Sequence, residues 1–167
     1  DGGTMTGLGT LGGDFSRAWS INDNGQIVGQ SANRSGVYEA FLYEGGAMTG
    51  LGTLGGDSSR ATDINDSGQI VGFSANSRGY NEAFLYDGGT MVSLNSLLDP
   101  RAGFRVDYAY GINNSGQIAA RGYNADGELH ALQLTVGDWI PQVPIPAGLP
   151  LFLTGLAALG LIRRRRT

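Results

Sequence analysis

The chain contains no cysteine, no lysine and a single histidine, and only 16 % of its 167 residues are charged. Without cysteine there is no disulfide framework, no thiolate zinc site and no lipid-modified cysteine anchor. Every one of the eleven basic residues is an arginine, and four of them, Arg163 to Arg166, stand in a row near the C-terminus. The rest of the sequence sets seven arginines against fifteen acids, a balance of −8. Such a surface repels phosphate backbones, which argues against a nucleic-acid partner. With His130 as the only histidine, no Ser-His-acid triad or metal cluster can be assembled around it.

Glycine is what the chain has in excess: 29 residues, with no Gly-X-Y period. That composition calls for many tight turns and short strands rather than helices. Hydrophobic residues make up 41 % of the sequence, enough for a packed core, and the length suits one domain plus appendages.

The sequence repeats. Residues 7–49 and 50–92 align at a period of 43 with 31 identical positions, and share "GLGTLGGD", "GQIVG" and "EAFLY". A looser third copy spans 93–138, with Ile112 matching Ile21 and Ile64, and Ala131 matching Ala40 and Ala83. There "LNSLLDPRAGFRVDY" replaces the shorter Gly-rich segment. A terminal repeat that departs from consensus has the character of a capping unit. "DGGTM" at Asp1 to Met5 recurs as "DGGTM" at Asp87 to Met91. The expectation is that residues 1–6 are the last strand of a further repeat, and that the chain is the C-terminal part of a longer protein.

Each repeat carries strand signals. "RAWSI" and "QIVGQS" flank Asn22-Asp23-Asn24-Gly25, whose Asn-Gly pair predicts φ > 0 and a tight hairpin. "EAFLY" follows a polar loop, and Gly45-Gly46 turns the chain into "AMTGLG". Alternation puts Phe41 and Tyr43 on one face and Leu42 on the other. The third copy has Leu132 and Leu134 on the first face and Gln133 on the second, so only the second tolerates a polar residue there. The predicted fold is therefore all-β: antiparallel four-stranded repeats of about 43 residues, each like a propeller blade. A β-solenoid or an open stack of meanders is the alternative, since so few units cannot close a ring.

These motifs make residues 1–138 similar to the HAF repeats of bacterial extracellular proteins. The chain departs from that family at the histidine that names it, where Glu39 and Glu82 stand in the first two copies and His130 in the third.

Other candidate chemistry has a structural reading beside it. Asp63, Asn65, Ser67 and Gly68 match the start of a calcium loop, but its twelfth position is Ser74 rather than Glu, and a hairpin turn accounts for the same residues. "LGTLGGD" lacks the lysine and helix of a phosphate loop and suits a tight connection. Glu39 and Glu82 recur by repetition, on adjacent units, and His130 suits a strand edge. Trp19, Tyr38, Tyr80, Tyr108, Tyr110 and Tyr123 are candidates for a carbohydrate-stacking platform, or for cross-strand packing. No catalytic residues, metal site or cofactor are predicted, and the expectation is a protein that is not an enzyme. An active site in a missing upstream part is a third possibility.

The C-terminal segment reads differently. After a Pro-rich linker at 139–147, Ala147 to Ile162 is a 16-residue run whose only polar side chain is Thr154. As a helix it would be about 24 Å long, short of a ~30 Å hydrocarbon core. Pro150 suits a first turn, and the four arginines favour a cytoplasmic end. The expectation for 148–167 is one transmembrane helix with an Arg cluster at its end.

Proline motif, short apolar run and terminal Arg cluster resemble the PEP-CTERM class of bacterial sorting signals in its VPLPA-like variant. Val143, Pro144, Pro146 and Ala147 match the motif and Ile145 is the one substitution; Arg163, Arg164, Arg165 and Arg166 match the basic cluster. The resemblance implies that an exosortase-type membrane protease recognises the chain as substrate. It also implies a Gram-negative host that makes extracellular polysaccharide, and transient anchoring in the inner membrane before release to the surface or matrix. The expected role is structural or binding, and the alternative is a secreted lectin-like propeller.

Overall fold

The computed structural model describes residues 2–135 and shows three antiparallel sheets stacked face to face. The first is a meander of β1 (Gly12–Ile21), β2 (Ile27–Asn33), β3 (Tyr38–Glu44) and β4 (Ala47–Gly50). The second repeats it residue for residue 43 positions later, in β5 (Gly55–Ile64), β6 (Ile70–Asn76), β7 (Asn81–Asp87) and β8 (Thr90–Ser93). The third has β9 (Phe104–Ile112), β10 (Gln117–Asn124) and β11 (Leu129–Thr135). The all-β antiparallel expectation holds, and the sheets form an open stack, not a closed propeller. The expected C-terminal helix lies outside the described residues.

Each first strand packs across the preceding sheet: β5 lies against β2 and β3, and β9 against β6 and β7. The core is therefore two layers. Val28 and Ala40 of the first unit, with Leu51 of the connection after β4, meet Ala61, Ile64, Ile70 and Phe84 of the second. Val71, Ala83, Leu85 and Leu94 meet Val106, Ala109, Ile112, Ile118 and Leu134 of the third. Phe84 and Leu85 thus serve opposite layers, as strand alternation requires. Gln133, the counterpart of Leu85, is exposed on a face with no neighbouring sheet among the described residues.

Residues 2–10 form no strand: the described residues include no strand beside them to offer the backbone partners that β7 gives β8. The Asn-Gly turn closes a tight β1–β2 hairpin as expected, with Gly25 at positive φ (75°). The Gly25 N–H bonds the Asn22 carbonyl at 3.0 Å, the geometry of a type I turn followed by a left-handed glycine. The longer third-repeat connection folds as two short 3-10 turns, Leu94–Ser96 and Pro100–Ala102, and places Leu94, Leu97 and Leu98 in the second core layer.

One further turn was not expected. The "polar loop" before β3 repeats the Asn-Gly turn, with Asn33 Oδ1 accepting the Ser35 and Val37 N–H groups. Asn76 and Asn124 do the same in the other two units. Asn-x-x-Gly, present in both turns of all three copies, was the available signal.

Candidate functional site

A bulge in each first strand sets up the most distinctive surface of the described residues. Ala18 pairs with Gly29 and Ser20 with Val28, so Trp19 is left without a partner. Thr62 and Tyr110 are skipped in the same way in β5 and β9. A bulge re-aims the extra side chain. It also shifts the alternation, so that Ala61 and Ile64, three apart, both enter the core.

Around the bulges runs a row of arginines and aromatic rings that crosses all three sheets. The Arg17 guanidinium lies 4.1 Å from the centre of the Trp19 ring, and Arg60 lies between Trp19 (5.2 Å) and Phe73 (5.1 Å). Phe73 packs on Tyr108 at 4.2 Å, Tyr108 stacks on Tyr110, and Arg121 covers Tyr108 at 4.0 Å. Gln30 accepts a hydrogen bond from Arg60 Nε at 2.9 Å. Trp19 and Tyr110 are 41 % and 51 % exposed, so the row ends in two accessible ring surfaces. Cation–π contacts of this kind contribute about 0.5–2 kcal/mol each, depending on desolvation.

The structure brings three of the six predicted aromatic residues together here: Trp19, Tyr108 and Tyr110. Tyr38 instead packs edge-on against Phe15, Tyr80 stands exposed, and Tyr123 sits under Arg105. Phe73, Arg17, Arg60 and Arg121 were missed. The 43-residue spacing of Arg17 and Arg60 was the signal that could have found two of them.

Arg121 also pairs with buried Asp107 at 3.2 Å. Burial would lower the guanidinium pKa, but the Asp107 carboxylate outweighs it and holds Arg121 above its usual value.

A second constellation staples the units together. Asn22 Nδ2 donates to the Asn65 carbonyl at 2.9 Å, and Asn65 Nδ2 donates to the Asn113 carbonyl at 3.1 Å. Asp66 accepts the Asp23 N–H, and Asn114 accepts the Asp66 N–H. Asp63 takes the Ser20 hydroxyl on one oxygen and the Ile112 N–H on the other. Asp63 and Asn65, two of the calcium-loop residues, thus spend their side-chain polar groups within the stack, while Ser67 is exposed and gives its N–H to Asn65 Oδ1. Among the described residues no group of three acidic, His or Cys side chains is arranged to hold a metal.

The glutamates at equivalent positions of the first two units, Glu39 and Glu82, bind the connection that leaves each sheet. Glu39 accepts the Gly52 N–H of "LGTLGGD" at 2.8 Å. Glu82 accepts hydrogen bonds from Ser93 Oγ and Asn76 Nδ2. Burial raises the Glu82 pKa, but these hydrogen bonds, with Asn95 and the charge of Arg105, outweigh it and hold the carboxyl below its ordinary value. His130, the third-copy counterpart, is exposed on β11, 3.7 Å from Glu128 and edge-on to Phe104.

The sorting-motif residues Val143, Pro144, Ile145, Pro146 and Ala147, and the cluster Arg163 to Arg166, lie outside the described residues. Among the described residues no helix is long and apolar enough to cross a membrane. Comparison with protein-family models, with curated proteins and with solved structures finds no match.

Proposed function

We propose that this chain is an exported repeat protein of the cell surface or extracellular matrix, with a structural or binding role and a C-terminal exosortase-type sorting signal. The observation that carries the reading is the order of features in the sequence: "VPIPA", an apolar run, and Arg163 to Arg166 behind a set of stacked repeats. Three prolines within Ile140 to Pro146 disfavour helix, and extended backbone is what a protease cleft needs. The run after them, broken by Gly155 and Gly160, is short for a permanent span and suits a temporary anchor. A stack held by turns, apolar layers and side-chain staples, without cysteine, suits a scaffold outside the cell.

Intact-mass measurement of protein from its native host tests the reading. Cleavage at or near "VPIPA" is expected, with Pro144→Ala plus Pro146→Ala leaving an uncleaved, membrane-bound form. Replacing the four arginines weakens retention before processing. Wild-type protein that keeps its residues through Thr167 in a host with an active exosortase refutes the sorting reading.

A lectin-like role is the second reading. The exposed ring faces of Trp19 and Tyr110, flanked by arginines, favour it. Binding of the repeats to an extracellular polysaccharide in a glycan array would select it over a purely structural scaffold.

A further inference from the structure

The two ends of the stack are not alike. On the face of the second sheet that meets the first, Ser59, Ala61, Ile64 and Ile70 are all buried, Ile64 at 4 % exposure and Ile70 at 0 %. The first sheet presents the same residue types, Ser16, Ala18, Ile21 and Ile27, on its outward face. There no sheet among the described residues covers them: Ser16 and Ala18 are exposed and Ile21 is 64 % exposed, while Ile27 is half-buried and Phe41, the counterpart of Phe84, is buried. The third sheet ends differently. Its outward face carries Ala119, Ala131 and Gln133 where the second sheet buries Val71, Ala83 and Leu85.

The polar half of the junction is also present on the first sheet. Ser59 Oγ accepts the Ala40 N–H and donates to the Gly52 carbonyl; Ser16 Oγ already donates to the Gly9 carbonyl and so keeps an acceptor lone pair. The Asn65 carbonyl and the Asp66 carboxylate receive donors from the preceding unit, and Asn22 and Asp23 occupy those positions in the first. The Gly7–Leu11 connection is folded as Gly50–Leu54 is. Thr10 bonds Gly13 as Thr53 bonds Gly56, and the Leu11 N–H meets Ser31 as the Leu54 N–H meets Ser74. Ser20 is the one departure, standing where Asp63 accepts a hydroxyl.

We propose that the outward face of the first sheet is a docking face for one further four-stranded repeat of this same kind. That repeat presents a Val-Ala-Leu surface like Val28, Ala40 and Leu42, and Gly7–Leu11, whose Leu8 stands where Leu51 does, is the tether that delivers it. The argument is continuity with the interface the chain already builds between its own units. A second copy of the chain stacked head to tail is a poorer occupant, because it brings Ala119, Ala131 and Gln133 in place of Val, Ala and Leu. The inference stands apart from the sorting reading.

The test compares the present chain with one carrying an extra copy of residues 7–49 inserted ahead of Gly7. In the present chain Ile21→Ala changes an exposed side chain and shifts Tm by less than about 2 °C. In the extended chain the same substitution creates a cavity and lowers Tm by about 5–10 °C, close to the effect of Ile64→Ala in either chain. Hydrogen exchange of the amides from Ile21 to Ile27 slows in the extended chain, a readout that needs no variant. Equal small shifts in both chains, with unchanged exchange, overturn the proposal. A dimer of the present chain that Ile21→Ala dissociates overturns it in favour of a second copy.

Discussion

Replacing Asn65 by alanine probes the joint between units at its most connected residue. Asn65 is 3 % exposed. Its Oδ1 accepts the Ser67 and Gln69 N–H groups, and its Nδ2 donates to Gln69 Oε1 and to the Asn113 carbonyl. Asn113 makes the same local bonds in the third unit, to Ser115 N, Gln117 N and Gln117 Oε1, but is exposed and, among the described residues, bonds no further unit. The difference between the two alanine variants therefore isolates the inter-unit bond and its burial. Loss of the exposed turn bonds costs about 1 kcal/mol, and loss of the bond across the junction with its desolvated partner about 2 kcal/mol more. Asn65→Ala is thus expected to lose about 3 kcal/mol, and Asn113→Ala about 1 kcal/mol, or Tm drops of about 10 and 3 °C. Asn22→Ala should fall with Asn65, since Asn22 Nδ2 bonds the Asn65 carbonyl. Urea denaturation followed by circular dichroism measures all three. Equal losses at Asn22, Asn65 and Asn113 would refute the reasoning, because the turns alone would then account for the asparagines.

Gly72 has no room for a side chain: a Cβ there would collide with the Arg60 carbonyl on the paired strand. Gly72→Ala should cost about 3 kcal/mol or prevent folding, read from the urea midpoint, and a loss below about 1 kcal/mol would mean that the strands separate easily. The Glu82 carboxyl is held below its ordinary pKa by Ser93, Asn76 and Asn95 against the opposing effect of burial. A depressed folded-state pKa makes its stabilisation complete above the ordinary value of 4.5 and lost as pH falls through the lower folded value. Glu82→Gln should therefore flatten the acid side of a Tm-against-pH curve, and an unchanged slope below pH 4.5 would sink the assignment.

The strands of the first two units were legible because strand alternation and turn residues agree there. "EAFLY" alternates, the turns before the second and third strands carry asparagine and glycine at fixed positions, and Gly45-Gly46 and Gly88-Gly89 mark the turns before the fourth. Alternation failed to place the first strands because the bulge at Trp19, Thr62 and Tyr110 breaks it. Ala61 and Ile64, which a strict period of two puts on opposite faces, enter one layer. A bulge leaves no composition signal in a single copy, whereas the same three-residue step in Ala18/Ile21, Ala61/Ile64 and Ala109/Ile112 would have revealed it. In the connection before β9, Leu94 and Leu97 enter the core at the positions of Leu51 and Leu54, 43 residues earlier, so the apolar positions persist where the glycines do not.

The site was legible only in part, for a related reason. Aromatic residues could be counted in the sequence, but which of them share a surface depends on the bulge and on stacking between sheets. Trp19 meets Arg60 across a unit boundary, and Phe73 meets Tyr108 across the next. The same logic explains what Glu39 and Glu82 do at equivalent positions of the first two units. The residue before Ala40 or Ala83 lies where β3 or β7 faces the outgoing connection, and what that connection needs is an acceptor for the Gly52 N–H or the Ser93 hydroxyl. A carboxylate supplies one at every pH above its own pKa, and a neutral histidine supplies one through its unprotonated ring nitrogen. In the third unit the described residues place no outgoing connection against His130. It turns instead toward Glu128 and Phe104 and does not perform the tethering role of Glu39 and Glu82.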